Sequence, residues 1–289
     1  ATQEILRDRT LPSVVRRQYY GSFRDLLMKA YQADATHEAS IRMLADRAWG
    51  ELQYFARENN SRAIVDRARE TVRWLQELIA LQPDDAELRY RLAVAKSRLA
   101  MLDETDSSWD TTAVEDFDAA IALQTAADAN RPTGENREPG DDYRLALVRY
   151  LAETDQDDEV TDRFEGFLED DANDVGLRVH YAAYLRQQGQ NEQALRQIRA
   201  AIKNDPNDAW PYLSLATHYE SEKDLDRSIE ALNDALRVDP DDYRAYEMGA
   251  RILGRLDRHD DGLQLTERGL ARLTADPNTR TSARNRHGQ

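Results

Sequence analysis

The chain has 289 residues, a mean hydropathy of -0.80, 33% charged residues and no cysteine. Disulfides, thiolate metal sites and a cysteine nucleophile are therefore excluded, and no apolar run approaches the roughly 18 residues of a membrane span. The net charge is -16, yet residues 102–174 hold 23 acidic and 5 basic side chains while the remainder holds 32 and 34, so the acidity is local. It argues against nucleic-acid binding through that region.

In chain order, the segment opens on Ala1 rather than Met, which is expected of a processed product or a piece of a longer protein. No signal-peptide pattern is visible. No compartment is marked, and the reading leans to the cytoplasm over the periplasm. Ser13 to Ala33 and Thr36 to Glu58 carry apolar residues at helical spacing (Tyr19, Phe23, Leu26, Leu27; then Ile41, Leu44, Ala45, Ala48, Leu52) and predict two long amphipathic helices. Thr71, Leu75 and Leu78 precede a helix stop at Pro83-Asp84-Asp85. A further helix is expected from Ala86 through Leu92 and Ala93, then a long loop from Asp103 to Thr112, then a helix through Ala113, Phe117 and Ala120. Ala129 to Asp142 contains two Pro, two Gly and no large apolar residue and reads as a loop, expected to lie outside a continuous helical stack.

Beyond it the chain is periodic. Asp205-Pro206-Asn207-Asp208 and Asp239-Pro240-Asp241-Asp242 lie 34 residues apart. In the same phase run Val148, Ala182, Ala216 and Ala250; Leu151, Leu185, Tyr219 and Leu253; Val160, Ala194, Ser228 and Gly262; and Phe167, Ala201, Ala235 and Gly269. Small residues at these intervals let two helices approach closely, and large ones fill the space to the next pair. The final stretch from Asn278 to Gln289 is polar and reads as a disordered tail.

Tyr212, Leu215, Ala216, Tyr219, Ser228, Leu232, Ala235 and Pro240 follow the pattern of the tetratricopeptide repeat (TPR), which this stretch resembles. Two departures stand out: Arg144 and Arg178 occupy the first aromatic position, and Gly249 replaces a Leu. The resemblance implies an all-α chain, a right-handed superhelical solenoid of antiparallel helix pairs. The expected domains are an irregular long-helix cap at 1–83, a divergent unit with an insertion and acidic loop at 84–140, four units at 141–276, and a polar tail at 277–289.

It also implies function. In TPR proteins the first helix of each pair faces a concave groove. Carried onto this chain, that face presents Arg149, Val179, Arg186, Trp210, Leu213, Thr217, Arg244 and Arg251 as candidate protein-binding residues. Trp210 has two roles open to it, ligand contact or packing on the neighbouring repeat. The Lys and Asn set that clamps C-terminal carboxylates in one TPR class is absent at these positions. The implied activity is a non-enzymatic scaffold without cofactor that binds a protein or peptide with acidic and hydrophobic residues, and no nucleic acid. The alternatives are an accessory or sensor segment of a larger kinase or transferase, or a self-assembling homo-oligomeric scaffold. Neither nucleotide-binding nor hydrolase motifs occur, the five His (His37, His180, His218, His259, His287) have no metal-ligand spacing and read as helix-surface residues, and the acidic clusters lack EF-hand spacing.

Overall fold

The computed structural model describes residues 13–103, 106, 108–129 and 143–275. The described residues form thirteen α-helices, and the chain divides into two compact units, Ala1–Glu135 and Asn136–Gln289. The expected loop at 129–142 and the polar tail lie almost wholly outside the described residues.

The first unit contains α1 (Ser13–Ala33), then the pairs α2 (Glu38–Arg57) with α3 (Ser61–Leu81) and α4 (Ala86–Leu102) with α5 (Ser108–Ala129). Its core joins Leu44, Ala48, Leu52, Leu75, Leu78, Leu92 and Leu99. Tyr31 of α1 meets the buried Trp74 of α3 edge to face, with ring centroids 5.1 Å apart. Asn60 and Asp85 cap α3 and α4 by accepting the backbone N–H of Ala63 and Leu88. The long loop expected over Asp103 to Thr112 is shorter than the sequence suggests, because α5 already begins at Ser108. Asp106 accepts the Ser108 N–H at 2.9 Å, and Trp109 in the first turn packs against the core. The extra residues thus lengthen helices rather than a loop. Asp103 and Asp116 are buried and paired: Arg69 holds the first, Lys96 (2.5 Å) and Arg89 (3.0 Å) the second.

The second unit contains four hairpins: α6 (Tyr143–Glu153) with α7 (Asp157–Asp170), α8 (Val175–Gln187) with α9 (Asn191–Asn204), α10 (Ala209–Ser221) with α11 (Leu225–Val238), and α12 (Tyr243–Arg255) with α13 (His259–Ala275). The 34-residue phase is written into the backbone. Asp174, Asp208 and Asp242 cap α8, α10 and α12 through their side chains. Within the hairpin turns, Asp155, Gly189, Lys223 and Asp257 all take positive φ, between 56° and 71°. Each turn is closed by a backbone bond from the following residue to the helix five back, as from Gln190 N–H to Leu185 O at 2.8 Å.

Side chains repeat the phase too. Tyr212 and Tyr246 donate their hydroxyls to the carbonyls of Pro206 and Pro240, six residues earlier. Arg178, which departs from the tyrosine pattern, reaches the equivalent carbonyl of Ala172 with its guanidinium at 2.8 Å. Ser228 stands where the pattern has Ala and is fully buried; its hydroxyl donates to the Ala216 carbonyl at 2.8 Å, so no polar atom is stranded at the close helix approach. Gly249 is explained by Leu265, whose methyl would lie 2.6 Å from a Cβ placed there.

Candidate functional site: the face of α6, α8, α10 and α12

Three contacts join the first helices of successive hairpins into one strip. Between α6 and α8 lies a cleft of about 250 Å³. Leu145, Val148, Ala152, Val160, Phe164 and Ala183 make it apolar, and Arg149, His180, Tyr184 and Gln187 complete its lining. Tyr184 is fixed there by donating its hydroxyl to the Asp157 carboxylate at 2.8 Å. Burial, with that carboxylate adding to it, pushes the phenol up to about 12. Between α8 and α10, the Trp210 indole meets His180 edge to face at 5.1 Å, and a Cβ on Gly176 would touch its ring at 3.4 Å. Between α10 and α12, Glu220 accepts from both Arg251 and Arg255, Nη2 of Arg251 lying at 2.9 Å from one oxygen and Nη1 of Arg255 at 2.6 Å from the other. The Arg251 hydrogen bonds hold the Glu220 carboxyl below its ordinary range, and the same contact raises Arg251.

The candidate residues therefore divide. Val179 and Leu213 are buried and act mainly in packing. The Thr217 hydroxyl donates to the Leu213 carbonyl of its own helix. Arg244 folds back on Asp242, its own helix cap, at 2.7 Å, and Arg251 is held by Glu220. Among the described residues, no hydrogen bond or ion pair is seen for Arg149 or Arg186. Arg149 is exposed at the cleft. Arg186 is partly buried, and desolvation lowers its pKa. Trp210 packs on α8 through His180 and stays partly exposed.

Sequence reasoning missed the Glu220 clamp and the place of His218. His218 is not a surface residue: it is 3% exposed, and its Nδ1 has no hydrogen-bond partner. Burial lowers its pKa; Arg186 and Arg199 press the same way, and Glu222 opposes them. Among the described residues no cluster of His, Asp or Glu could hold a metal ion, and no helix is long and apolar enough to cross a membrane.

Stacked helix hairpins with one connected helix face define a helical-repeat protein. Residues 185–252 match the tetratricopeptide repeat family model. No curated protein sequence matches the chain. Among solved structures, yeast Tom70 is similar in fold, with a TM-score of 0.50 at 13% identity over 95% of this chain and 62% of that one. Pseudomonas aeruginosa PilF aligns at 13% identity over 82% of this chain and 94% of its own, with a TM-score of 0.43. YrrB, described as a TPR protein with an unusual peptide-binding site, aligns at 16% identity over 76% and 96%, with a TM-score of 0.39. The tetratricopeptide repeat match thus covers residues 185–252, and the described residues are all-α.

Proposed function

We propose that this protein is a non-enzymatic interaction scaffold that holds an extended segment of a partner protein along α6, α8 and α10. The observation that carries the reading is the apolar cleft between α6 and α8, open beside the exposed Arg149, which has no ion pair among the described residues. Clefts with an apolar floor and few polar groups are where ligands gain both affinity and orientation. A peptide supplies the missing parts: side chains for the floor, carboxylates for the rim and backbone for the span between helices.

The test begins with ten-residue peptides selected from a random display library on the whole chain. Ala183→Trp fills the cleft from its wall without removing any packed group. It should weaken the selected peptides at least about tenfold, equivalent to 1.4 kcal/mol, at unchanged helicity. Equal binding by this variant rejects the face as the site.

A second reading, self-assembly, is favoured by one observation. An apolar hollow of about 390 Å³ on α12 and α13 is lined by Tyr243, Tyr246, Ala250, Gly269 and Leu270, with Leu270 62% exposed. Leu236, the counterpart of Leu270 one repeat earlier, is only 7% exposed. Sedimentation at several concentrations separates the readings: a monomer throughout excludes self-assembly through this hollow.

A further inference from the structure

The last hairpin presents a face of the kind that elsewhere in the unit receives a helix. One repeat earlier that face is covered: Leu236 is buried, and α12 crosses α11 so closely that a Cβ on Gly249 would lie 3.7 Å from the Leu232 side chain. On α12 and α13 the hollow of about 390 Å³ stands open, with Tyr243 and Leu270 exposed in its lining and Leu263 exposed two turns before Leu270. Stacked repeats bury such a face against the next helix. Glu247 is the one charged residue of the lining, and no hydrogen bond or ion pair is seen for it among the described residues. The same column holds Val179 and Leu213, both buried, in the two preceding repeats, so this face alone sets a carboxylate in an apolar hollow. The first helix of the other unit, α1, carries the matching chemistry. Leu27 is buried in its own core, but Leu26 is 63% exposed. Lys29, one turn further along, is exposed and has no ion pair among the described residues.

We infer that the chain binds a second copy of itself head to tail. Helix α1 of one copy lies on the α12–α13 hollow of the next, with Leu26 against Leu270 and Lys29 on Glu247. This rests on the self-assembly reading and names the two faces that meet. Burying the exposed leucines drives the contact, and the Lys–Glu pair fixes its register. The hollow has room for the Leu26 side chain, since an apolar cavity of about 150 Å³ already holds benzene. A two-fold pairing of the hollow with itself is the competing arrangement. It would bring two Glu247 carboxylates together with no cation in the lining, and like charges across an interface cost affinity. The helix of a second copy instead brings an ammonium to each carboxylate. Unlike faces meet in this contact, so copies add in one direction until a ring closes.

The chain has no cysteine, so an introduced thiol marks one position. Asp25→Cys and Glu267→Cys place thiols beside the two contact leucines and leave both leucines in place. Copies of the two variants are mixed, treated with a short bismaleimide and digested, and the linked peptides are weighed. Sedimentation of the unaltered chain at several concentrations gives its size. The contact predicts links between positions 25 and 267, absent when either variant is treated alone, and association that rises with concentration. Leu270→Glu should weaken association at least about tenfold. Lys29→Glu and Glu247→Lys should each weaken it about fivefold, and the two together should restore it. Links from 267 to 267 in a species that stops at two overturn this inference and leave self-assembly standing. Association that gives neither link, or that ignores the charge exchange, does the same. A monomer at every concentration, with the hollow open or covered by the chain's own terminal residues, overturns both. Circular dichroism of each variant separates a lost contact from a lost fold.

Discussion

The His180 imidazole and the Trp210 indole meet edge to face at 5.1 Å, one on α8 and the other at the start of α10. The contact is possible because Gly176, one turn before His180, leaves room for the indole. It ties consecutive hairpins together on the same side as the cleft. The face is thus a packed surface with its side chains set in advance, which lowers the ordering cost of binding.

The column of left-handed turn residues gives a test of the repeat register. A β-carbon costs about 1–2 kcal/mol in that conformation. Of Asp155, Gly189, Lys223 and Asp257, only one is glycine. Gly189→Ala should lower stability by about 1 kcal/mol, whereas Lys223→Gly should leave it unchanged or raise it by up to about 1 kcal/mol, the cost being offset by glycine's larger unfolded entropy. Urea unfolding of both variants checks the contrast. The opposite order contradicts the turn assignment.

How much of this was legible in sequence depends on distance along the chain. The Asp-Pro stops, the aspartate caps and the small-residue columns recur every 34 residues and could be read directly. Ser228 could be placed by column, but its bond to the Ala216 carbonyl could not be foreseen. The role of Arg178 was hidden because a guanidinium does there what a phenol does at Tyr212 and Tyr246, reaching a carbonyl six residues back. Arg251 looked free because its partner Glu220 lies 31 residues away on another helix. His218 looked exposed because a polar residue on an amphipathic helix usually is, whereas α10 is covered by α8, α9 and α11. In the first unit the polar run from Asp103 to Thr112 read as loop, so the start of α5 at Ser108 was placed too late.

His218 makes stability depend on pH. Its folded pKa lies below the ordinary value of 6.5, first because it is buried and then because Arg186 and Arg199 oppose a third positive charge. In the unfolded chain it binds a proton near pH 6.5. The neutral folded form is therefore fully favourable above that pH, and stability is lost as pH falls below it towards the folded pKa. The urea midpoint should drop between about pH 7 and pH 5, and His218→Gln should remove part of that slope. Parallel slopes for the two proteins would show that His218 does not titrate differently on folding.

The Lys96–Asp116 pair in the first unit is buried on both sides, with Arg89 as a second partner of the carboxylate. Asp116→Leu strands a buried ammonium and should cost about 3–5 kcal/mol. Adding Lys96→Met should recover most of the loss, because replacing a whole buried pair with apolar groups is often neutral. Denaturation of the two single variants and the double variant measures the coupling. Additive losses would mean that the two charges do not act as a pair.

The central claim is that a partner segment lies across α6 and α8. The most direct measurement places a photo-cross-linking residue in turn at Ala183, in the wall of the cleft, and at Gly166, exposed on α7 with open space around it. With a display-selected peptide in solution, irradiation should join peptide to the Ala183 position and leave the Gly166 position uncoupled. Cross-linking at Gly166 without cross-linking at Ala183 would place the ligand on the outer helices and contradict the account.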